Sequence, residues 1–459
     1  MACLVPAQLR TLHKHRSLLR WPVFSIFFLF SVHLTQNILA RHLQSGVSQQ
    51  VAPRTRVQRP TASESGVKRK IKTDKAYRWI QTHSKAHPRT SWLDHWRSRP
   101  KAALISLVRN EELDGILQSM RQLEYRWNRH YNYPWLFFSE TPFTDGFKNM
   151  TQALAARTSY HVIPADHWLP PANISEHRFF DSLDYLGLVG VGKGSLPSYR
   201  NMCRWNSGFF YLHPALAEYE FYWRVEPDVH FLCDIPYDPF RFMKENDMVY
   251  GWNMNILDDA RSFPSLWRTT RQFVDKNAHL VHPDADVSWL VDGENGHDYN
   301  ACQFFSNFEI GSLDFFRGEA NRKYFDWLDS EQGGQGFYYE RLGDAPVHTL
   351  SVALFAARED TWFFRDIGYQ HDIARHCPSE YARIGSCDCE ATPLDENFYK
   401  LVRMESPQRK PHDTCVRMWL GQEWLEKKVG WDMDVEKAVG GSGYGGYVRE
   451  EAVHIPQAL

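Results

Sequence analysis

Residues 102–138 restrict the fold of this chain more than any other stretch. Ala102-Ala-Leu-Ile-Ser-Leu-Val108 is a short, unbroken apolar run, as expected of a strand buried on both faces of a parallel sheet. Arg109-Asn-Glu-Glu follows, and then Leu113, Ile116, Leu117, Met120 and Leu123 recur at helical spacing. Pro134-Trp-Leu-Phe-Phe138 supplies the next strand. Strand, helix and strand in this order make a βαβ unit with parallel strands. Sheets of this kind bind ligands beyond the carboxyl ends of their strands. No Gly-x-Gly-x-x-Gly or Walker sequence follows the first strand, so phosphates bound there would need a metal in place of a glycine-rich cradle.

A second buried strand is expected at Tyr219–Val225, rich in aromatic and β-favouring residues. It stops at Pro227, which cannot donate to a sheet ladder. Glu226 and Asp228 flank that proline. Two carboxylates at a strand end repel each other unless a cation intervenes, and hard oxygen ligands suit Mg²⁺ or Mn²⁺. The bland alternative is a solvated turn.

The chain is long enough, at 459 residues, for one large core or two ordinary ones. A net charge of -2 gives no broad basic field for nucleic acid. Basic residues fill positions 1–20, and an apolar segment follows at 21–40. That length can span a bilayer, and the positive flank before it keeps the N-terminus cytoplasmic. An uncleaved anchor is favoured over a cleaved signal peptide, for which Ala40 is a poor site. Residues 41–100 are polar and basic and read as a stem, with one folded domain at 101–436 and a glycine-rich, disordered tail at 437–459. Two sequons, Asn149-Met-Thr and Asn173-Ile-Ser, fit a lumenal domain. Seven cysteines follow the anchor, which allows at most three bridges and one free thiol. The cluster Cys377, Cys387 and Cys389 suits disulfides in that compartment better than zinc.

Elsewhere the patterns are weaker. Leu183–Ser195 is glycine-rich and reads as a mobile loop. Leu313–Leu328 reads as one amphipathic helix. Phe304-Phe-Ser-Asn-Phe-Glu-Ile310 carries a single acid, Glu309, inside an aromatic run. A charge there is costly unless it is paired. It is either a structural glutamate held by an arginine or a catalytic carboxylate.

Several ordered motifs resemble the fungal Kre2/Mnt1-type α-1,2-mannosyltransferases, glycosyltransferase family 15. They include Ser-Leu-Val-Arg-Asn-Glu-Glu-Leu, Tyr-Arg-Asn-Met-Cys-Arg-Trp-Asn-Ser-Gly, Tyr-Trp-Arg-Val-Glu-Pro-Asp-Val, Ser-Asn-Phe-Glu, Tyr-Glu-Arg-Leu-Gly-Asp-Ala-Pro-Val-His and Phe-Arg-Asp-Ile-Gly-Tyr-Gln-His, spread over about residues 101–378. The resemblance implies a GT-A-like α/β catalytic domain with a mixed, mainly parallel central sheet flanked by helices, behind a transmembrane anchor and stem. It implies a single-pass type II Golgi protein with its catalytic domain in the lumen. The implied reaction is transfer of mannose from GDP-mannose to a mannose 2-hydroxyl on a glycoprotein acceptor, with Mn²⁺ and retention of configuration. By motif, Glu226 and His371 match the metal ligands and Glu309 the proposed nucleophile. Tyr199, Arg224 and Asp344 match donor- and acceptor-site positions, and Arg109 belongs to the strand end near the nucleotide. Leu342 stands where the family commonly has Trp, and Gly333-Gly-Gln-Gly is longer than the usual glycine turn.

The residue chemistry agrees with that reading. Mn²⁺ takes carboxylate and imidazole ligands together. Glu309 could attack the sugar or only stabilise an oxocarbenium-like state. A mannan-binding, lectin-like Golgi protein is the non-enzymatic alternative, and loss of Glu226, Glu309 or His371 would favour it; all three are present. A metal-assisted glycoside hydrolase would need paired carboxylates across the bond and no nucleotide strand.

Overall fold

The computed structural model describes residues 62–85, 99–292, 298–372, 374–378, 382–391, 415–416 and 418–419. The tail at 1–20, the apolar segment at 21–40 and the C-terminal tail at 437–459 lie outside the described residues. Among the described residues no helix is long and apolar enough to cross a membrane.

The expected βαβ unit forms. β1 (Ala102–Leu107) pairs in parallel with β2 (Trp135–Ser139), and β2 with β3 (Thr158–Val162). On its other side β1 pairs in parallel with β4 (Phe221–Arg224). The turn beyond β4 leads into the short β5 (His230–Phe231). β6 (Tyr250–Trp252) and β7 (Asn255–Leu257) follow, then the small hairpin of β8 (Val291–Asp292) and β9 (Asp298–Tyr299). The strands β10 (Cys302–Phe304), β11 (Glu309–Ser312), β12 (Thr361–Phe363), β13 (Tyr369–His371) and β14 (Ala374–His376) complete the set. Seven strands make the central sheet in the order β12-β6-β11-β4-β1-β2-β3. Only β11 runs antiparallel to its neighbours, β4 and β6, so the sheet is mixed and mainly parallel.

The pleat sorts side chains onto two cores. Ala103 and Ile105 of β1 and Tyr222 of β4 enter one apolar cluster, while Ala102, Leu104, Phe221 and Trp223 enter the other. Arg224 therefore lies on the Tyr222 face. Glu309 pairs with Arg224 in register and shares that face, because its neighbour Ile310 belongs to the opposite core. Helix Asp344–Phe355 covers this face and is buried at every position but Ala345, as its apolar composition requires.

Three elements differ from the sequence reading. Helix Ala62–Lys85 lies inside the segment read as stem. It docks through Ala76 and Ile80, both buried, and Trp79 donates to Glu245 at 2.6 Å. The four-residue spacing of Ala76 and Ile80 makes a stripe too narrow to register as apolar composition. Leu183–Leu188 belongs to helix Glu176–Leu188, and the following turn is held by Arg200, which donates to the Gly194 carbonyl at 2.9 Å. Leu313–Leu328 breaks at Gly318 into helices Leu313–Arg317 and Glu319–Asp329. Among the described residues the cysteines form three bridges, Cys233–Cys387, Cys302–Cys415 and Cys377–Cys389, and leave Cys203 as a buried thiol. Asn149 and Asn173 are both exposed.

Candidate active site

The carboxyl ends of β1 and β4 open into a cavity of about 460 Å³, within the range of small-molecule sites. Arg109, Tyr199, Arg224, Glu226, Asp344 and His371 all line it. Six residues drawn from positions 109 to 371 thus meet in one cleft. Glu309 does not line it.

Arg224 is the centre of the floor and is 6 % exposed. Its Nε donates to Glu226 Oε1 at 2.5 Å and its Nη1 to Asp344 Oδ2 at 2.5 Å. Ser306 Oγ donates to the same Asp344 oxygen at 2.8 Å. Burial alone would lower the Arg224 pKa, but Glu226, Asp344 and Glu309 more than offset it and raise the value well above normal. Burial likewise favours a neutral Asp344, and Arg224 with His348 overrides it and holds the carboxyl below its usual range. The floor is therefore a fixed cation clasped by fixed anions.

The two residues of the Glu-Pro-Asp turn part company. Glu226 faces the cavity, whereas Asp228 takes a left-handed backbone (φ 58°) and turns away. Its backbone N–H donates to Gly115 at 3.1 Å, and its carboxylate sits where a Cβ on Gly115 would be, 2.6 Å from that point. Gly115 lies in the first turn of helix Leu113–Leu123, where a negative charge is favoured. Asp228 thus supports the helix and leaves Glu226 as the acid of this turn at the cavity.

His371 reaches the same cavity through a separate sheet. β13 pairs with β5, Tyr369 opposite Phe231, so the strand that follows the Glu226 turn carries the histidine back to it. The Cys233–Cys387 bridge fastens the same region. Glu226 Oε1 is occupied by Arg224 and Oε2 is left for a cation; the His371 ring contacts Asp372 only at 3.9 Å, through Nδ1. No group of three or more His, Cys, Asp or Glu that could hold a metal occurs among the described residues. A carboxylate oxygen plus one imidazole fits a hard divalent cation that takes its remaining ligands from water and phosphate oxygens.

Glu309 sits one layer behind this floor and is 1 % exposed. Tyr250 donates its hydroxyl to Glu309 Oε2 at 2.9 Å, and His348 Nδ1 lies 3.0 Å from the same oxygen. His348 Nε2 lies 2.9 Å from the Asn206 carbonyl, which can only accept. That nitrogen must carry a proton, so a second proton is shared between His348 Nδ1 and Glu309. Burial opposes a charged imidazole, but Glu309 dominates among the groups that raise its pKa.

Several residues with no assigned role in the sequence reading line the cavity too, among them Glu112, Glu140, Lys193, Asp258, Gln303 and Arg341, and Arg109 Nε donates to Glu140 Oε1 at 3.3 Å. Arg341 donates to Asp258 at 3.1 Å and lies over the Tyr199 ring, 5.6 Å from its centroid. Arg341 and His348 stand inside the Tyr-Glu-Arg-Leu-Gly-Asp-Ala-Pro-Val-His motif, from which the resemblance assigns a role to Asp344 alone. Leu342 is buried against Gly336 and lies off the cavity wall, as do the residues of the Gly333 turn. At Gly334, φ is +90°, which glycine alone adopts without strain.

A family model described as glycolipid 2-alpha-mannosyltransferase matches residues 55–406. The chain is 39 % identical over 329 residues to the O-glycoside alpha-1,2-mannosyltransferase omh1 of Schizosaccharomyces pombe, covering 70 % of this chain and 83 % of that protein. It is 41 % identical over 320 residues to the alpha-1,2 mannosyltransferase KTR1 of Saccharomyces cerevisiae, covering 67 % and 80 %. Among solved structures it superposes on core-mannan synthase A (CmsA/Ktr4) of Aspergillus fumigatus in its Mn/GDP form, with a TM-score of 0.62 and 41 % identity over 69 % of this chain and 85 % of that one. It also superposes on the mannosyltransferase Ktr4p of S. cerevisiae in complex with GDP, with a TM-score of 0.64 and 30 % identity over 81 % and 96 %.

Proposed function

Because the chain belongs to the glycolipid 2-alpha-mannosyltransferase family and is a GDP-mannose-dependent mannosyltransferase, we propose that it moves mannose from GDP-mannose to the 2-hydroxyl of a mannose, with Mn²⁺ and with retention of the α configuration. Mannosylated glycoproteins with O-linked or N-linked glycans are the proposed acceptors. The proposed setting is the Golgi lumen, with the 21–40 segment as a type II anchor.

The observation that carries this reading is the meeting of Glu226 and His371 with the open ends of β1 and β4. Glu226 and His371 would hold the cation, which when bound offsets negative charge on the diphosphate leaving group. Lys193 and Arg109, the latter paired with Glu140 at 3.3 Å, line the same cavity and bring positive charge for the phosphates. Arg224 keeps its cation on the floor, and Asp344 with Ser306 fixes its direction. Such preset charge costs no reorganisation when the sugar reacts. Tyr199 and Asp344 bound the space left for the sugars. Glu309 acts in this reading as a positioning residue, since it reaches the cavity through its charge on Arg224 and not by contact. A glutamate so placed favours front-face substitution over attack by Glu309 itself.

Full-length protein is incubated with GDP-mannose and methyl α-mannoside after chelation, with and without added Mn²⁺, and the product linkage is read by NMR. An α-1,2-linked disaccharide formed only with the metal is expected. A β-linked product, another linkage, or equal transfer without metal would sink the corresponding part of the reading.

A further inference from the structure

β7 and β10 form a two-stranded antiparallel ribbon beside the main sheet, with Gln303 opposite Ile256. The pairing continues through Phe305, whose N–H donates to the Met254 carbonyl, and Asp258, whose N–H donates to the Ala301 carbonyl. Strand alternation then puts Ile256, Asp258, Gln303 and Phe305 on one face. All four line the cavity. The opposite face carries Cys302 and Phe304 into the core.

Gln303 is out of place on structural grounds. It is 3 % exposed, and its Oε1 has no hydrogen-bond partner among the described residues. Buried polar atoms are nearly always paired, and each exception calls for a cause. A leucine or methionine would fill the same space without stranding an acceptor. Gln303 lines the cavity, and turning its terminal amide about the last side-chain bond would bring that oxygen to a bound group.

The wall around Gln303 also states what that group is. The half of the cavity at the ends of β1 and β4 offers Arg109, paired with Glu140 at 3.3 Å, and suits a metal-bound diphosphate. The ribbon half has a different character. Its cation, Arg341, is tied to Asp258 and Ser262. Ile256 and the Phe305 ring supply apolar surface, and Phe305 packs on His371 with ring centroids 6.0 Å apart. An acceptor oxygen set beside apolar surface and a carboxylate-paired arginine matches a neutral pyranose: one hydroxyl to donate and one apolar ring face.

We propose that Gln303 Oε1 accepts a hydrogen bond from a hydroxyl of the acceptor sugar, in a subsite walled by Ile256 and Phe305, and so selects the sugar that is extended. This rests on the mannosyl-transfer reading above.

Gln303→Met keeps side-chain length and removes both polar atoms. The KM for methyl α-mannoside should rise roughly tenfold, the loss expected for one hydrogen bond to a well-placed partner. The affinities for Mn²⁺ with GDP, by calorimetry, and for GDP-mannose should stay within about twofold, and the melting temperature should be equal or higher. The parent should discriminate against one monodeoxy mannoside by a similar factor, and Gln303→Met should treat that analogue and the parent sugar alike. An unchanged acceptor KM, or weakened GDP-mannose affinity in place of acceptor affinity, overturns the proposal. Binding of α-1,2-mannobiose to the complex with Mn²⁺ and GDP, measured by calorimetry, separates the two levels. A parent that binds mannobiose Gln303-dependently but transfers nothing keeps the subsite and loses the transferase reading. A parent that does not bind mannobiose, or binds it equally after Gln303→Met, loses the subsite.

Discussion

Two glutamates one strand apart show what exposure does to the same functional group. Glu226 follows β4 and Glu309 begins β11, and Glu309 lies directly beside Arg224 in register. Both act on the charge of that arginine. Glu226 ends up in the open cleft with one oxygen spare, because Pro227 stops the strand and Asp228 turns the chain away. Glu309 ends up sealed, because β11 is flanked on both sides and helix Asp344–Phe355 closes over it. An open carboxylate is available for chemistry. A sealed one is spent on its neighbours.

The largest expected effect falls on the open member. Glu226→Gln removes the charged oxygen proposed for the cation but keeps a group able to accept from Arg224. It should lower kcat by about a thousandfold or more, on the scale of losing a principal electrostatic contact at a reacting centre. Unfolding by urea should change little, since the Glu226 side chain is partly open to solvent. If Glu226→Gln instead unfolds the protein while Mn²⁺ still activates what remains folded, the open and sealed labels are reversed.

Glu309→Gln should produce the complementary pattern. Breaking a buried, hydrogen-bonded ion pair costs about 3–5 kcal/mol of stability. The amide can still accept from Tyr250, but His348 loses its counter-charge. Turnover should also fall, by roughly ten- to a hundredfold, because Arg224 loses one of the three carboxylates around it. That value would fit a positioning residue. A variant that melts like the parent and has lost more than about a thousandfold in kcat would return Glu309 to the role of nucleophile.

How much of this pair was legible in the sequence follows from the same contrast. A run of aromatic and β-favouring residues and a proline stop located β4 and its acidic end, because both are local signals. The same logic found β1, β2 and their parallel pairing, and family motifs brought Arg224, Asp344 and His371 forward. What the sequence could not carry was non-local. Whether Glu309 opens to the cleft depends on helix Asp344–Phe355, some 35 residues on. Asp228 looks like a second metal ligand until Gly115, more than a hundred residues earlier, is seen to make room for it. Gln303 carries no local signal at all, since its stranded oxygen exists only once β7 pairs with β10. Helix Ala62–Lys85 was missed for the opposite reason: its composition is polar, and Ala76 and Ile80 suffice to dock it.

The smallest effect is also the sharpest test of the sealed site, because it asks where a proton is. His348 faces Glu309 and, more distantly, Asp344, both of which favour the imidazolium; Arg224 and burial oppose it. The Asn206 carbonyl, the Phe210 and Phe316 rings and, through the shared Glu309 oxygen, Tyr250 also surround it and carry no charge near neutrality. The net result is a folded-state pKa above the ordinary histidine value of 6.5. The folded protein therefore binds more protons than the unfolded chain in the interval between those two values. Stability from this pair is then fully present below pH 6.5 and is lost as pH rises through the higher, folded-state pKa. His348→Gln removes the titration. The stability gap between parent and variant, from urea unfolding at a series of pH values, should be widest below pH 6.5 and narrow at higher pH, by about 1.4 kcal/mol for each tenfold difference in proton affinity. A gap that stays constant from pH 6 to about pH 10 would mean that the folded pair binds no more protons than the unfolded chain, and that Glu309 is sealed by packing alone and not by charge.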